Sequence, residues 1–162
     1  MTTVAQEALI CRAQDVGQRS HVLGNKVLAP NILIGIDYLS IFTRGQSEYE
    51  ELSVAAVALG AKVYEKRGGV YRIDNEDIAQ TLPSRIIRVS EPADTQLDGC
   101  ADMITADFEL SKRLLIAAGY HEKPKSLNGH DYTIIEVADP DLGVSIYLPS
   151  ERITTIMGII EK

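Results

Sequence analysis

Two segments of the chain carry the same run of landmarks, and that run limits the folds available. The first begins at Glu51-Leu52-Ser53, reaches Gly60, and ends at Leu82-Pro83-Ser84 with Arg85-Ile86 behind it. The second begins at Glu109-Leu110-Ser111, reaches Gly119, and ends at Leu148-Pro149-Ser150 with Arg152-Ile153 behind it. Internal similarity of this kind changes a fold assignment. Each run reads as a helix, a glycine stop, and strands folded back on one another. The match is inexact: Ser53 to Gly60 spans seven positions and Ser111 to Gly119 spans eight. One extra residue in a helix turns its face by about 100°.

Local signals fill in the elements. Thr3-Val4-Ala5-Gln6 fits a capping box and starts a helix over 3–19, with Gly17 and Gly24-Asn25 as its end. Asn31 to Phe42 is rich in isoleucine and leucine on both parities, which suits a strand covered on both faces. Asp37 interrupts it, so the strand is expected to end there and leave the carboxylate at the surface. Ser47-Glu48-Tyr49-Glu50 caps a second helix, 47–59. Gly68-Gly69 suits a two-residue hairpin turn, which would pair Tyr64 with Ile73 and Glu65 with Arg72. Asp107 caps a helix through Ala118, and Asn128-Gly129 marks a second hairpin. Asp139 to Gly143 is a turn, and Val144 to Leu148 alternates as a half-buried strand. Ile153 to Ile160 fits either a strand or a helix. The expected organisation is one domain over 1–162. Half-repeats 32–92 and 103–162 are joined by an acidic linker, 91–102, and preceded by the 3–19 helix. The fold class is α+β, with antiparallel sheet or sheets and helices packed on one side.

A chain of 162 residues with 45% hydrophobic and 24% charged residues can bury a core without staples. Its net charge of −7 disfavours nucleic acid as a partner. No apolar run approaches the length of a membrane span, so no membrane partner is expected. Cys11 and Cys100 form neither a disulfide framework nor a zinc spacing, which points to reduced thiols in a cytoplasmic protein.

Catalytic motifs are missing. Gly45-Gln46-Ser47-Glu48-Tyr49 lacks the last glycine of a nucleophile elbow. Asp139, Asp141 and Gly143 make only part of a calcium loop. The second hairpin offers the one chemical constellation. Its turn pairs Leu127 with His130, and counting back sets His121 opposite Glu136, with Tyr132 on the same face as Glu136. A histidine beside a carboxylate suits acid–base or metal chemistry, or a plain ion pair. The matching pair in the first half is Lys62 with Asn75, which carries no such chemistry. His121, Glu136, His130 and Tyr132 are therefore the candidate catalytic residues. No metal-ligand set and no cofactor-binding motif is indicated.

Helix, glycine and successive strands, twice over about 32–148, resemble the paired βαβββ modules of the vicinal-oxygen-chelate (glyoxalase-like) superfamily. A ferredoxin-like fold gives the same pattern. The glyoxalase resemblance implies a His or Glu on the first strand of a module and a Glu on the last. Ile32 to Phe42 has no His, and Val144 to Leu148 has no Glu, so the resemblance is one of layout. The expectation is a non-catalytic binding or interaction protein for a protein partner or small ligand, with homo-oligomerisation through open sheet edges. The alternative is a small metal-assisted enzyme or small-molecule-binding protein with its site on the second hairpin.

Overall fold

The computed structural model describes residues 1–159. The chain opens with α1 (Val4–Val27), which runs past the expected end at 19. Thr3 forms the capping box: its hydroxyl accepts from Gln6 N, and the Gln6 side chain accepts from Thr3 N–H. Gly17 and Gly24 lie inside the helix as contact points rather than stops. A Cβ on Gly17 would sit 2.3 Å from Pro83 Cγ, and one on Gly24 2.3 Å from Leu33 Cδ1.

The first half follows as β1 (Leu33–Phe42), α2 (Gln46–Leu59), β2 (Gly60–Glu65), β3 (Gly69–Ile73), the short α3 (Glu76–Ala79) and β4 (Ile86–Ser90). Gly45, not Ser47, occupies the cap of α2; the Glu48 carboxylate accepts from Arg44 N at 2.6 Å instead. The second half is β5 (Gly99–Thr105), α4 (Phe108–Ala117), β6 (Glu122–Leu127), β7 (His130–Asp139) and β8 (Val144–Pro149). A last short helix, α5 (Ile153–Ile156), takes the segment that fitted strand or helix equally. Ile160 and the end of the second half-repeat, to 162, lie outside the described residues. Strand β5 corrects the expected 91–102 linker, which gives way to sheet at Gly99. Gly99 and Asp102 read as loop residues, yet Cys100, Ala101 and Met103 around them are buried.

The eight strands of the described residues join one sheet in the order β2-β3-β4-β1-β5-β8-β7-β6. The sheet is mixed, not antiparallel as expected. β1 runs parallel to β4, and β5 runs parallel to β8. The cause is the helix that follows the first strand of each half. A helical crossover returns the chain in its original direction. Two reversals later the last strand again runs that way, and it pairs beside the first. The halves meet where β1 and β5 pair antiparallel. The layout is thus shared, but the landmark tripeptides are not equivalent. Leu82-Pro83-Ser84 precedes β4, whereas Leu148-Pro149 ends β8.

Helices α1, α2 and α4 cover one face. Leu9, Val16 and Leu23 of α1, Leu52 and Ala56 of α2, and Leu115 of α4 pack there against Leu39, Ile41, Val89, Ala101, Ile146 and Leu148. Burying large aliphatic side chains is worth about 1.5–3 kcal/mol each, so this layer anchors the fold. The other face holds a smaller cluster around Tyr38, Val70, Ile86, Tyr132 and Ile134, covered by Ile153 and Met157. Among the described residues, no helix is long and apolar enough to cross a membrane.

The registers depart from those expected in two places. The β2–β3 turn is 66–68 rather than Gly68-Gly69, so Glu65 pairs with Gly69 and Tyr64 with Val70, and Val63 is an extra residue beyond them that sets Lys62 against Tyr71. Glu65 therefore bonds to Lys62, and Arg72 to Asp74. In β1, Ile36 pairs with Met103 and Tyr38 with Asp102, which leaves Asp37 as the extra residue. A bulge re-aims a side chain. Asp37 is accordingly buried, not exposed as expected. Its Oδ1 accepts from Arg152 at 2.9 and 2.7 Å and from Thr154 Oγ1 at 2.7 Å, and its Oδ2 accepts from Thr154 N at 3.1 Å. This carboxylate ties α5 to the sheet.

Candidate functional site

The face opposite the three helices turns polar at the middle of the sheet. β1, β4, β5 and β8 lie side by side there, and alternation sends every second residue of each to this face. Ser40 of β1 stands between Arg88 of β4 and Cys100 of β5, and Cys100 stands beside Ser145 of β8. One level away, Asp102 of β5 stands between Tyr38 of β1 and Tyr147 of β8, and Tyr147 faces Glu136 of β7. Ser40, Arg88, Cys100, Tyr38, Asp102 and Tyr147 of these rows floor a cavity of about 310 Å³. Tyr132, Ile134 and Ile153 wall it on one side, and Lys66 and Arg67 reach it from the β2–β3 turn.

That turn is fixed over the cavity by backbone geometry. Arg67 has φ of 46° and Gly68 of 119°. A Cβ on Gly68 would lie 2.1 Å from Val89 O, so only glycine lets the turn rest on β4. Arg67 O then accepts from Glu91 N at 2.9 Å.

The polar groups here are buried and under-satisfied. Tyr38 Oη, Ser40 Oγ, Arg88 Nε and Ser145 Oγ are fully buried and make no hydrogen bond with any described residue. Ser40 lies near enough to Tyr38 and Cys100 to moderate the acidity of both, but neither contact has hydrogen-bond geometry. An unpaired buried polar group costs about 1–3 kcal/mol. Burial pushes the Asp102 carboxyl up to about 7; Lys66 and Arg88 pull against the shift and Asp37 adds to it. Burial also pushes the Cys100 thiol up to about 12 and raises the phenols of Tyr38 and Tyr147. Cys100 is thus a protonated thiol at neutral pH, unsuited to nucleophilic attack. Among the described residues, no three His, Cys, Asp or Glu side chains converge to hold a metal.

The second hairpin contributes only in part. Leu127 pairs with His130 as the turn requires. His121 is exposed, lies just ahead of β6, and has no hydrogen bond or ion pair with a described residue. Glu136 is engaged by Lys123 Nζ at 3.5 Å and accepts from Tyr147 OH at 3.4 Å. His130 Nε2 lies 2.9 Å from Glu151 in an exposed pair. Tyr132 is buried and faces the cavity. In the first half, Lys62 bonds to Glu65, and Asn75 caps α3 by accepting from Ile78 N. A shallower groove of about 550 Å³ lies along Pro124, Lys125 and Tyr132 at the β6–β7 edge, without buried polar groups of its own beyond Tyr132.

Arg88, Cys100 and Asp102 escaped the sequence reading. A signal was present: Ala101 and Met103 alternate with Cys100 and Asp102, the pattern of a strand with one polar face. Gly99 and the acids before it masked that pattern.

No protein-family model matches the chain, and no curated protein matches it. A solved structure described as "Structural Genomics, Protein EC4020" is similar in fold, with a TM-score of 0.60 and 13% identity. The similarity covers 99% of this chain and 98% of that one. At that identity the likeness concerns the fold alone.

Proposed function

We propose that the protein binds a small polar molecule in the cavity between its two halves. The observation that carries this reading is that three residues lining one cavity, Tyr38, Ser40 and Arg88, each carry a buried polar atom without a partner among the described residues. Native interiors pair such groups, and a cluster of exceptions at one concave surface is what a ligand resolves. The layout of each half, with first and last strands side by side, supports a glyoxalase-like architecture in preference to a ferredoxin-like one. The metal chemistry of that superfamily does not follow. The residues facing the cavity from first and last strands are Tyr38, Ser40, Arg88, Cys100, Asp102 and Tyr147. Cys100 and Asp102 alone among them are of the common metal-ligand types, too few for a closed or catalytic site.

A small ligand is favoured over a partner that adds a strand. The β6 edge presents exposed Lys123, Pro124 and Lys125, residues that discourage pairing. A second reading, proton transfer to a bound substrate, is favoured by Asp102, whose carboxyl titrates near neutrality inside the cavity.

A thermal-shift screen of polar metabolite-sized compounds tests the reading. A ligand at 100 times its Kd stabilises the fold by about 2.7 kcal/mol. Stabilisation of the wild type that disappears in the cavity-filling Ser40→Leu variant, and weakens in the milder Tyr147→Phe, supports binding here. No stabilising compound, or stabilisation that survives Ser40→Leu, contradicts it.

A further inference from the structure

The cations of this chain are distributed unevenly between partners and the cavity. Among the described residues ten, Arg12, Arg19, Lys26, Arg44, Lys62, Arg72, Arg85, Lys112, Lys123 and Arg152, hold ion pairs with carboxylates. Among the described residues, Lys66, Arg67, Arg88, Arg113 and Lys125 hold none. Four of those five, all but Arg113, line the one cavity. They come from separate places: the β2–β3 turn, the middle of β4, and the edge strand β6. On a chain of net charge −7, a pocket that gathers the unspent cations is a local reversal of sign, which concentrates anions.

The cations also repel each other. Burial lowers the Lys66 pKa, and Arg88 and Lys125 lower it further, against the pull of Asp102. A bound negative charge removes that cost. Arg88 reinforces the point geometrically: its Nη1 has only a long 3.4 Å contact with Lys66 O, and its Nε has no partner. An unoccupied guanidinium edge matches a carboxylate. The rest of the cavity is suited to a carbon skeleton, with Ile134, Ile153, Tyr38 and Tyr132 as walls. Asp102 sits on the floor and disfavours a dense multiple charge such as a phosphate dianion.

From this juxtaposition of four unpaired cations with apolar walls and one carboxyl, we infer that the cavity's ligand is a small organic carboxylate, held by Arg88 with Lys66, Arg67 and Lys125 around it. The inference rests on the reading that the cavity binds a small molecule. Hydroxyls of Tyr38 and Ser40 supply the remaining hydrogen bonds.

Paired probes at fixed ionic strength test it by titration calorimetry: acetate with acetamide, succinate with succinamide, benzoate with benzamide, and inorganic phosphate. The expected result is that at least one acid binds, and its amide binds tenfold or more weakly. A charge-assisted hydrogen bond lost in Arg88→Gln lowers the affinity by about tenfold to a hundredfold. Lys125→Gln, on an exposed edge strand, lowers it several-fold and keeps the fold intact. Arg113→Gln leaves it unchanged. Amides that bind as tightly as acids, or phosphate that binds more tightly than every carboxylate, overturn the ligand class while the binding site stands. An equal loss in Arg113→Gln also overturns it, because the attraction would then be general charge. If no probe binds, the carboxylate class falls, and the binding reading falls with it only if the thermal-shift screen also finds no stabilising compound.

Discussion

Ser40 and Arg88 stand at the same level on the parallel strands β1 and β4, and neither Ser40 Oγ nor Arg88 Nε has a hydrogen-bond partner among the described residues. Two neighbouring polar groups buried without partners weaken the unliganded protein. Functional sites commonly carry that kind of cost. Arg88→Met keeps the length and apolar stem of the side chain and removes the unsatisfied charge. In the absence of ligand it is expected to leave the unfolding free energy within about 1 kcal/mol of wild type, or to raise it. Urea unfolding measures this. A loss above about 2 kcal/mol would mark Arg88 as a structural residue.

Asp37 is the opposite case, a buried carboxylate with every bond made. It holds Arg152 and Thr154, and through them the short helix that supplies Ile153 to the cavity wall. Asp37→Ala is expected to cost about 2–4 kcal/mol, the scale for breaking a buried, hydrogen-bonded charge pair. The urea midpoint should fall without a change in slope. A change below about 0.5 kcal/mol would show that α5 is held by packing alone.

Asp102 makes stability depend on pH in a defined direction. Its folded carboxyl titrates at about 7, above the unfolded value of about 3.9. Between those values the folded state binds more protons than the unfolded state, so this group's contribution to stability falls as pH rises. The penalty is absent below about pH 4 and complete above about pH 7. Lys66 and Arg88 moderate it, and Asp37 deepens it. Asp102→Asn should therefore gain on the wild type between pH 4 and 8, with the two curves converging at the acid end. Parallel curves across that range would contradict the assignment.

Cys100 gives a chemical readout of the same environment. Its thiol is buried and pushed up to about 12, chiefly by burial, whereas Cys11 is exposed. A disulfide reagent at pH 8 should modify one thiol quickly in the native protein and the second only on unfolding, since thiolate is the reacting species. Two fast thiols would show that the cavity floor is open to solvent.

Much of the fold was legible because it is written in local signals. The Thr3–Gln6 box, the Asp107 cap and the Asn128-Gly129 turn each act over four residues or fewer, and each stands where expected. What failed depended on distant partners. Gly17 and Gly24 looked like helix stops because their reasons, Pro83 and Leu33, lie far along the chain. Asp37 looked like a surface residue because nothing local announces a bulge or the arrival of Arg152. The mixed sheet was hidden because strand direction follows from the crossover and not from composition. The cavity was hidden for the same reason: Arg88, Ser40, Cys100 and Ser145 form one row only after four strands align. Tyr132 faces that cavity, while His121 and His130 remain at the exposed hairpin, where alternation and turn chemistry had set them.

The most direct test is crystallographic. Crystals soaked in the carboxylate with the highest affinity should show it in the cavity, with a carboxylate oxygen within about 3.2 Å of Arg88 Nε and further polar atoms near Ser40 Oγ and Tyr38 Oη. A cavity in which ordered waters satisfy the orphaned atoms of Tyr38, Ser40 and Arg88, with the carboxylate bound elsewhere or not at all, would contradict the account.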